Sequence, residues 1–232
     1  MSVIIHLIRH GQASFGAANY DLLSTVGRRQ ADLYADHAVR LSMRFDACYT
    51  GNMVRHRQTA EPLSARPETP ALTVLAEFDE FDAGTVWNHE VSRMIREDPD
   101  VAADVAKCLT DKKAFARLFE KMMKAWARGE IDPGVGENWR AFTQRVRDGL
   151  QKVADENADA RHVAVFTSAG PVSAAMQAVL GLSEEKTMEL AFAVRNASVT
   201  RIKATPRGLF LLGFNDTAHL EITGDRNLLT LR

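Results

Sequence analysis

Two cysteines are all that this chain of 232 residues contains. Cys48 and Cys108 stand far apart and in no CxxC pattern, which argues against a disulfide framework and against a thiolate metal site. Reduced thiols point to a cytoplasmic setting. Long apolar runs are also missing. The opening stretch MSVIIHLIRHG is short, carries His6 inside it and lacks a basic leader, so it reads as neither a signal peptide nor a membrane span. No excess of either charge exists, since the formal net charge is −1. The basic footprint of a nucleic-acid binder is therefore absent. None of the seven histidines falls in an HxH or HExxH spacing, which leaves a metal-dependent hydrolase poorly supported and predicts no metal and no cofactor. Repeats, low-complexity segments and interdomain linkers are lacking too.

What remains is an ordinary globular composition, 46% hydrophobic and 25% charged. A chain of this length suits one α/β domain spanning 1–232 and can bury roughly 70% of its unfolded surface without staples. Val3 to Ile8 reads as a strand buried on both faces apart from His6. Thr25 to Leu41 has a helical apolar face in Ala31, Tyr34, Ala35, Ala38 and Leu41. Phe45 to Thr50 predicts a second strand, Gly51 to Ala65 a helix and Ala71 to Phe78 a third strand. This alternation implies βαβ units and a three-layer α/β fold with a mainly parallel sheet and helices on both faces. From about 86 to 134 the strand signal vanishes, which predicts a helical insertion. Within it, Lys112 to Arg128 sets Phe115, Leu118, Phe119, Met122, Met123 and Trp126 on one face, and Lys113, Arg117, Lys121, Lys124 and Arg128 on the other. That helix could pack on the core, form a basic cap over an anionic ligand or lie on a membrane surface. Its stripe could equally meet a second subunit, so a homo-oligomer is compatible with it. Helix returns from Asn138 to about Asn157. His162 to Thr167 is a further buried strand, and Ser168-Ala169-Gly170-Pro171 turns it into a helix through Leu180. Ser198 to Ala204 and Leu209 to Phe214, joined at Pro206-Arg207-Gly208, predict an antiparallel hairpin at a sheet edge.

The chemistry-bearing residues gather at strand ends. Ligands of open α/β sheets sit beyond the carboxyl ends of the strands, and Arg9-His10-Gly11 lies there. An imidazole is a nucleophile near neutral pH. A guanidinium offers forked donors that suit phosphate, and a glycine lets backbone approach a ligand. Arg55, early in the helix after the second strand, brings a second cation to the same rim. A carboxylate cluster follows in Glu77, Asp79, Glu80 and Asp82, which could equally be a plain acidic surface loop.

Together these stretches resemble the histidine phosphatase (phosphoglycerate mutase-like) superfamily. Arg9-His10-Gly11 is similar to its RHG signature. Leu23-Ser24 with Gly27, Gln30 and Ala31, preceded by Asp21, resembles its L-(S/T)-x-x-G-x-x-Q-A helix. Arg55 with Gln58-Thr59-Ala60 resembles R-x-x-Q-T-A, and Glu80 to Gly84 resembles the region that holds the acid. Asn215 to Leu220 is similar to the end of some bacterial members. The resemblance implies a metal-free phosphomonoester hydrolase in which His10 becomes phosphohistidine. Arg9 and Arg55 would hold the phosphoryl oxygens, and Glu80, with Glu77 as runner-up, would act as acid and base. Gly11, Gln12 and Ala169 would contact the substrate, a small-molecule or peptide phosphomonoester; neither nucleic acid nor membrane is expected as a partner.

The pattern also breaks. Ser168 stands where the family usually places a second histidine, which defines a subgroup and puts full activity in question. A hydroxyl cannot carry that positive charge, and one lost transition-state donor costs roughly 10²–10³ in rate. Ser168 itself, the amides of Ala169 and Gly170, or a histidine reaching in from position 89 or 219 could compensate. Gly16 replaces a common Asn, Gly51 a common Ser, and Gln12 a common Glu. A mutase, which must keep water out, is therefore less expected than a phosphatase. The competing expectation is a weakened member that binds a phosphorylated ligand without turning it over.

Overall fold

The computed structural model describes residues 2–14, 20–97, 101–108 and 110–231. Its centre is a six-stranded mixed sheet in the order β3-β2-β4-β1-β5-β6. The strands are β1 (Val3–Arg9), β2 (Ala47–Thr50), β3 (Leu72–Val74), β4 (His162–Thr167), β5 (Val199–Thr205) and β6 (Gly208–Asp216). The first four run parallel, with Arg9 of β1 in register with Thr167 of β4. β5 runs antiparallel to β1 and forms the expected hairpin with the edge strand β6. The apolar runs Val3–Ile8 and Val163–Phe166 are continuous because both faces of these strands are covered.

Alternation along the strands decides which helices cover which face. Ile8, Ala164 and Phe166 meet Tyr34, Ala35 and Ala38 of α1 (Thr25–Arg40) and Ala60 and Leu63 of α2 (Val54–Ser64). Ile5, Leu7, Val163 and Val165 point the other way. They pack with α5 (Lys112–Ala127), α6 (Trp139–Glu156) and α7 (Ala169–Leu180). His6, on β1, is accommodated by a ring-to-ring hydrogen bond to His162 (3.1 Å) and an edge contact with Phe45. Between β3 and α5 the described residues include two helices, α3 (Ala83–Glu97) and α4 (Val101–Cys108). Among the described residues no helix is long and apolar enough to cross a membrane.

Two expectations change. The strand foreseen over Ala71–Phe78 stops at Val74 and gives way to a 3₁₀ turn, Ala76–Phe78. Thr167 Oγ1 donates to the Phe78 carbonyl (2.6 Å), and Arg145 Nη1 donates to the carbonyls of Ala76 and Glu77 (both 2.9 Å) and Asp79 (3.2 Å). These bonds turn the backbone away from the ladder and bury the Phe78 ring. A further helix, α8 (Glu184–Ala193), lies where no element was foreseen. Ser183 caps it, with Glu184 and Glu185 in its first turn, the pairing of side-chain acceptor and negative charge that a helix start favours.

Candidate active site

β1 ends on the sheet rim at His10, whose backbone N–H bonds the Thr167 carbonyl at 2.8 Å. Its carbonyl accepts from the Ala197 N–H (3.1 Å) and the Asn196 side chain (3.2 Å). The imidazole Nδ1 lies 2.7 Å from the Gly11 carbonyl. A carbonyl only accepts, so the proton sits on Nδ1 and the Nε2 lone pair is left for chemistry. Burial first, then the charges of Arg9 and Arg55, hold the His10 pKa well below its ordinary value. The ring is therefore neutral at neutral pH, the form in which it is a nucleophile.

Both arginines are aimed by the framework. Arg9 Nη1 donates to the Val194 carbonyl at the end of α8. Arg55 Nη1 pairs with Asp21 at 2.7 Å, and the other Asp21 oxygen accepts from the Val54 N–H at 2.8 Å. Glu80 reaches in from the chain after the 3₁₀ turn. Its two oxygens accept from the N–H groups of Gly170 (3.1 Å) and Phe81 (3.2 Å). Burial raises its pKa, against the opposing pull of the Gly170 amide and of Arg55 and Arg9. A proton on this carboxyl is thus favoured relative to a solvated glutamate. Glu77 turns elsewhere, to Lys152 at 3.4 Å. Although the two triplets are alike in sequence, only Glu80 lines the cavity with His10.

That cavity measures about 530 Å³. Arg9, His10, Arg55 and Glu80 form one end of it, together with Ala169 and Gly170. Phe81, Phe115, Phe119, Met188, Ala191 and Phe192 contribute an apolar wall drawn from α5, α8 and the chain after Glu80. Of the readings open for α5, the structure carries the core-packing one: Met122, Met123 and Trp126 are buried in the core, and the helix meets the cavity through Phe115 and Phe119. Lys124 and Arg128 are instead engaged outside with Glu120, Glu189, Glu130 and Glu185.

Other expected residues are placed differently. Gly11 and Gln12 are not among the cavity's lining residues. The Gly11 N–H donates to Thr59 Oγ1 (3.0 Å), and the Gln12 side chain accepts from Ser24 (2.8 Å). The glycine is needed because the helix comes close: a Cβ on Gly11 would lie 2.4 Å from the Gly27 carbonyl oxygen, and one on Gly27 2.1 Å from the Gln12 carbonyl oxygen. Gln30 and Gln58 serve the same loop by accepting from the N–H groups of Gln12 and Leu23. Gly16 lies outside the described residues. His89 sits on α3, and His219 is buried beside Tyr34 and His37 (5.6 and 5.7 Å between ring centroids); neither lines the cavity.

Ser168 is completely enclosed; it lies between Thr167, which pairs with Arg9, and the cavity-lining Ala169, and is not itself among the lining residues. Its hydroxyl makes no capping bond to α7 and instead lies 2.6 Å from His56 Nε2. His56 is equally enclosed, and its ring centroid is 5.8 Å from that of His10. Sequence reasoning passed over His56; its one signal was its position next to Arg55. Among the described residues, no group of three or more His, Cys, Asp or Glu is arranged to hold a metal ion.

Comparison with known proteins follows the same lines. The model of the family described as histidine phosphatase superfamily (branch 1) matches residues 5–115 and 107–217. No curated protein matches the sequence. A phosphoserine phosphatase variant from Entamoeba histolytica, solved with phosphoserine, superposes with a TM-score of 0.66 at 18% identity, over 94% of this chain and 99% of that one. A mycobacterial glucosyl-3-phosphoglycerate phosphatase gives 0.64 at 18%, over 94% and 100%. Phosphoglycerate mutase from Bacillus anthracis gives 0.64 at 15%, over 97% of each chain. At these identities the likeness is one of fold.

Proposed function

The chain belongs to the histidine phosphatase superfamily, and we propose that it is a metal-independent phosphatase acting through phosphohistidine on a small phosphomonoester whose alcohol part is uncharged and apolar. The observation that carries the reading is the neutral His10, with its proton held on Nδ1 by Gly11, sharing one cavity with two guanidinium groups and a buried carboxyl. His10 Nε2 attacks phosphorus while the bond to the ester oxygen breaks, and Glu80 delivers its proton to that oxygen. Arg9 and Arg55 offset the charge on the non-bridging oxygens. In the second step the Glu80 carboxylate takes a proton from water, the water oxygen attacks the phosphohistidine, and inorganic phosphate leaves with His10 neutral again.

The apolar wall supports the substrate class. Among the described lining residues, Arg9 and Arg55 are the only cations, so a second anionic group on the substrate would find no counter-charge. A wall of Phe115, Phe119 and Phe192 favours an alkyl or aryl group instead. Along a series of alkyl phosphates, kcat/KM should rise about threefold to fourfold per methylene until the wall is filled.

The test is hydrolysis of an aryl phosphate in excess chelator by the native chain and by His10→Ala, with trapping of an acid-labile phosphoenzyme. Turnover and label that survive chelation and vanish in the variant are expected. Equal rates in both proteins would overturn the proposal. They would favour a binder of phosphorylated ligands, the reading to which the enclosed Ser168 lends weight.

A further inference from the structure

Three small or unusual residues meet behind His10, and together they have a use. Position 51 carries no side chain. A Cβ there would lie 2.4 Å from His56 Nδ1 and 2.5 Å from Asp79 Oδ1. The bare glycine thus makes room for the His56 ring and for the Asp79 carboxylate beside it. Asn52 fixes that carboxylate through its backbone N–H (2.6 Å) and its side-chain amide (2.8 Å). On the far side of the ring, Nε2 meets Ser168 Oγ at 2.6 Å. Nδ1 is buried without a hydrogen-bond partner, an expensive arrangement for a ring used only as packing. Ser168 is an N-cap serine whose hydroxyl leaves the helix uncapped in favour of the histidine, although a serine at that position ordinarily caps.

We propose that His56 is a positioning residue that acts through Ser168 and gives the site its second imidazole. While a phosphoryl group occupies the space between Arg9, Arg55 and His10, His56 holds a proton taken from solvent. Nε2–H then donates to Ser168 Oγ, and the Ser168 hydroxyl donates onward to a phosphoryl oxygen. The proton returns to solvent when phosphate leaves. In the free protein the groups facing His56 are Arg55 and Arg57 on its own helix, His10 just after β1, Asp79 after the 3₁₀ turn and Ser168. Burial and the two arginines keep the ring neutral there, and a phosphoryl anion beside Arg55 reverses that balance. This inference rests on the phosphatase reading above.

The experiment compares His56→Ala, Ser168→Ala and the double variant on p-nitrophenyl phosphate. Each single change should lower kcat by about 10² with KM little altered, and the double variant should be no worse than either single, because the two groups act as one unit. Ser168→Thr, which keeps the hydroxyl, should restore most of the rate. Additive losses, or singles indistinguishable from the native chain, would overturn the proposal. A second measurement covers variants that fail to fold. In the native protein titrated with inorganic phosphate, ¹⁵N imidazole resonances should show His56 gaining a proton as phosphate binds; a ring that stays neutral at saturation overturns the proposal. If the native chain hydrolyses no phosphomonoester, the phosphatase reading falls on its own, and the phosphate titration still decides the role of His56.

Discussion

The amide of Gly170 and the carboxyl of Glu80 touch so closely that one methyl group should separate binding from proton transfer. A Cβ at position 170 would lie 1.9 Å from Glu80 Oε1 and 2.8 Å from the Phe81 ring. Under 3.0 Å something must shift, so in Gly170→Ala the carboxyl must retreat by about 1 Å, a displacement that costs on the order of 10² in rate when it afflicts a positioned catalytic group. Overpacking of this kind destabilises by roughly 1–3 kcal/mol, so the protein should still fold. The assay contrasts two leaving groups. A simple alkyl phosphate needs its oxygen protonated as the bond breaks, so its kcat should fall by about 10². p-Nitrophenyl phosphate leaves readily as the anion and should fall by far less. Phosphate affinity should hardly change, since Arg9 and Arg55 are untouched. Equal losses on both substrates, or none on either, would refute the assignment of Glu80 as the acid.

Gly11→Ala should lower the melting temperature by several degrees, at about 2–4 °C per kcal/mol, because its Cβ meets the rigid Gly27 carbonyl rather than a movable side chain; a melting curve unchanged from the native one contradicts the close-approach account. Arg145→Ala releases the carbonyls of Ala76, Glu77 and Asp79, so turnover of alkyl phosphates should drop about tenfold or more, by misplacing Glu80, while inorganic phosphate binding measured by calorimetry stays the same. Acid should weaken the fold before the ordinary, solvated carboxylates titrate. Burial depresses His6 to about 3 and His219 to about 4 from an ordinary 6.5. The unfolded chain therefore binds their protons first, and stability is full above 6.5 and declines as pH falls below it. A melting temperature that is flat between pH 6.5 and the ordinary glutamate value of 4.5 would show that these rings are not buried neutral.

The sheet was legible because its central strands are covered on both faces, and burial of that kind writes itself as unbroken runs such as His162–Thr167. The rim was legible for a related reason. A histidine and an arginine at the end of such a run have nowhere to go but the edge of the sheet, and Arg55 arrives there with the next helix. The choice between Glu77 and Glu80 was not legible. Identical triplets diverge because Arg145, 66 positions from Asp79 and 68 from Glu77 in sequence, pins the backbone between them. His56 was hidden in the same manner: whether a helical histidine faces solvent or a serine on another element is a matter of tertiary packing that local spacing does not encode. The packing role of Gly11 was not legible either, because the sequence gives no hint that Gly27 comes so close to that loop.

The cavity is assembled from two sources that share little. Its reacting end hangs on strand termini and on hydrogen bonds between distant backbone segments, where almost any replacement is felt throughout. Its apolar wall consists of Phe115, Phe119, Met188, Ala191 and Phe192, projecting from two helices whose outer ion pairs, such as Lys124 with Glu189, bind them to each other. Replacements on the inner side of that helical pair can resize or reshape the compartment and leave the bond-breaking apparatus intact. Lineages carrying such a layout can drift from one ester to another through substitutions that are each tolerated, and a laboratory library confined to these five positions should retune preference among substrates with most of its members still folded and still turning over.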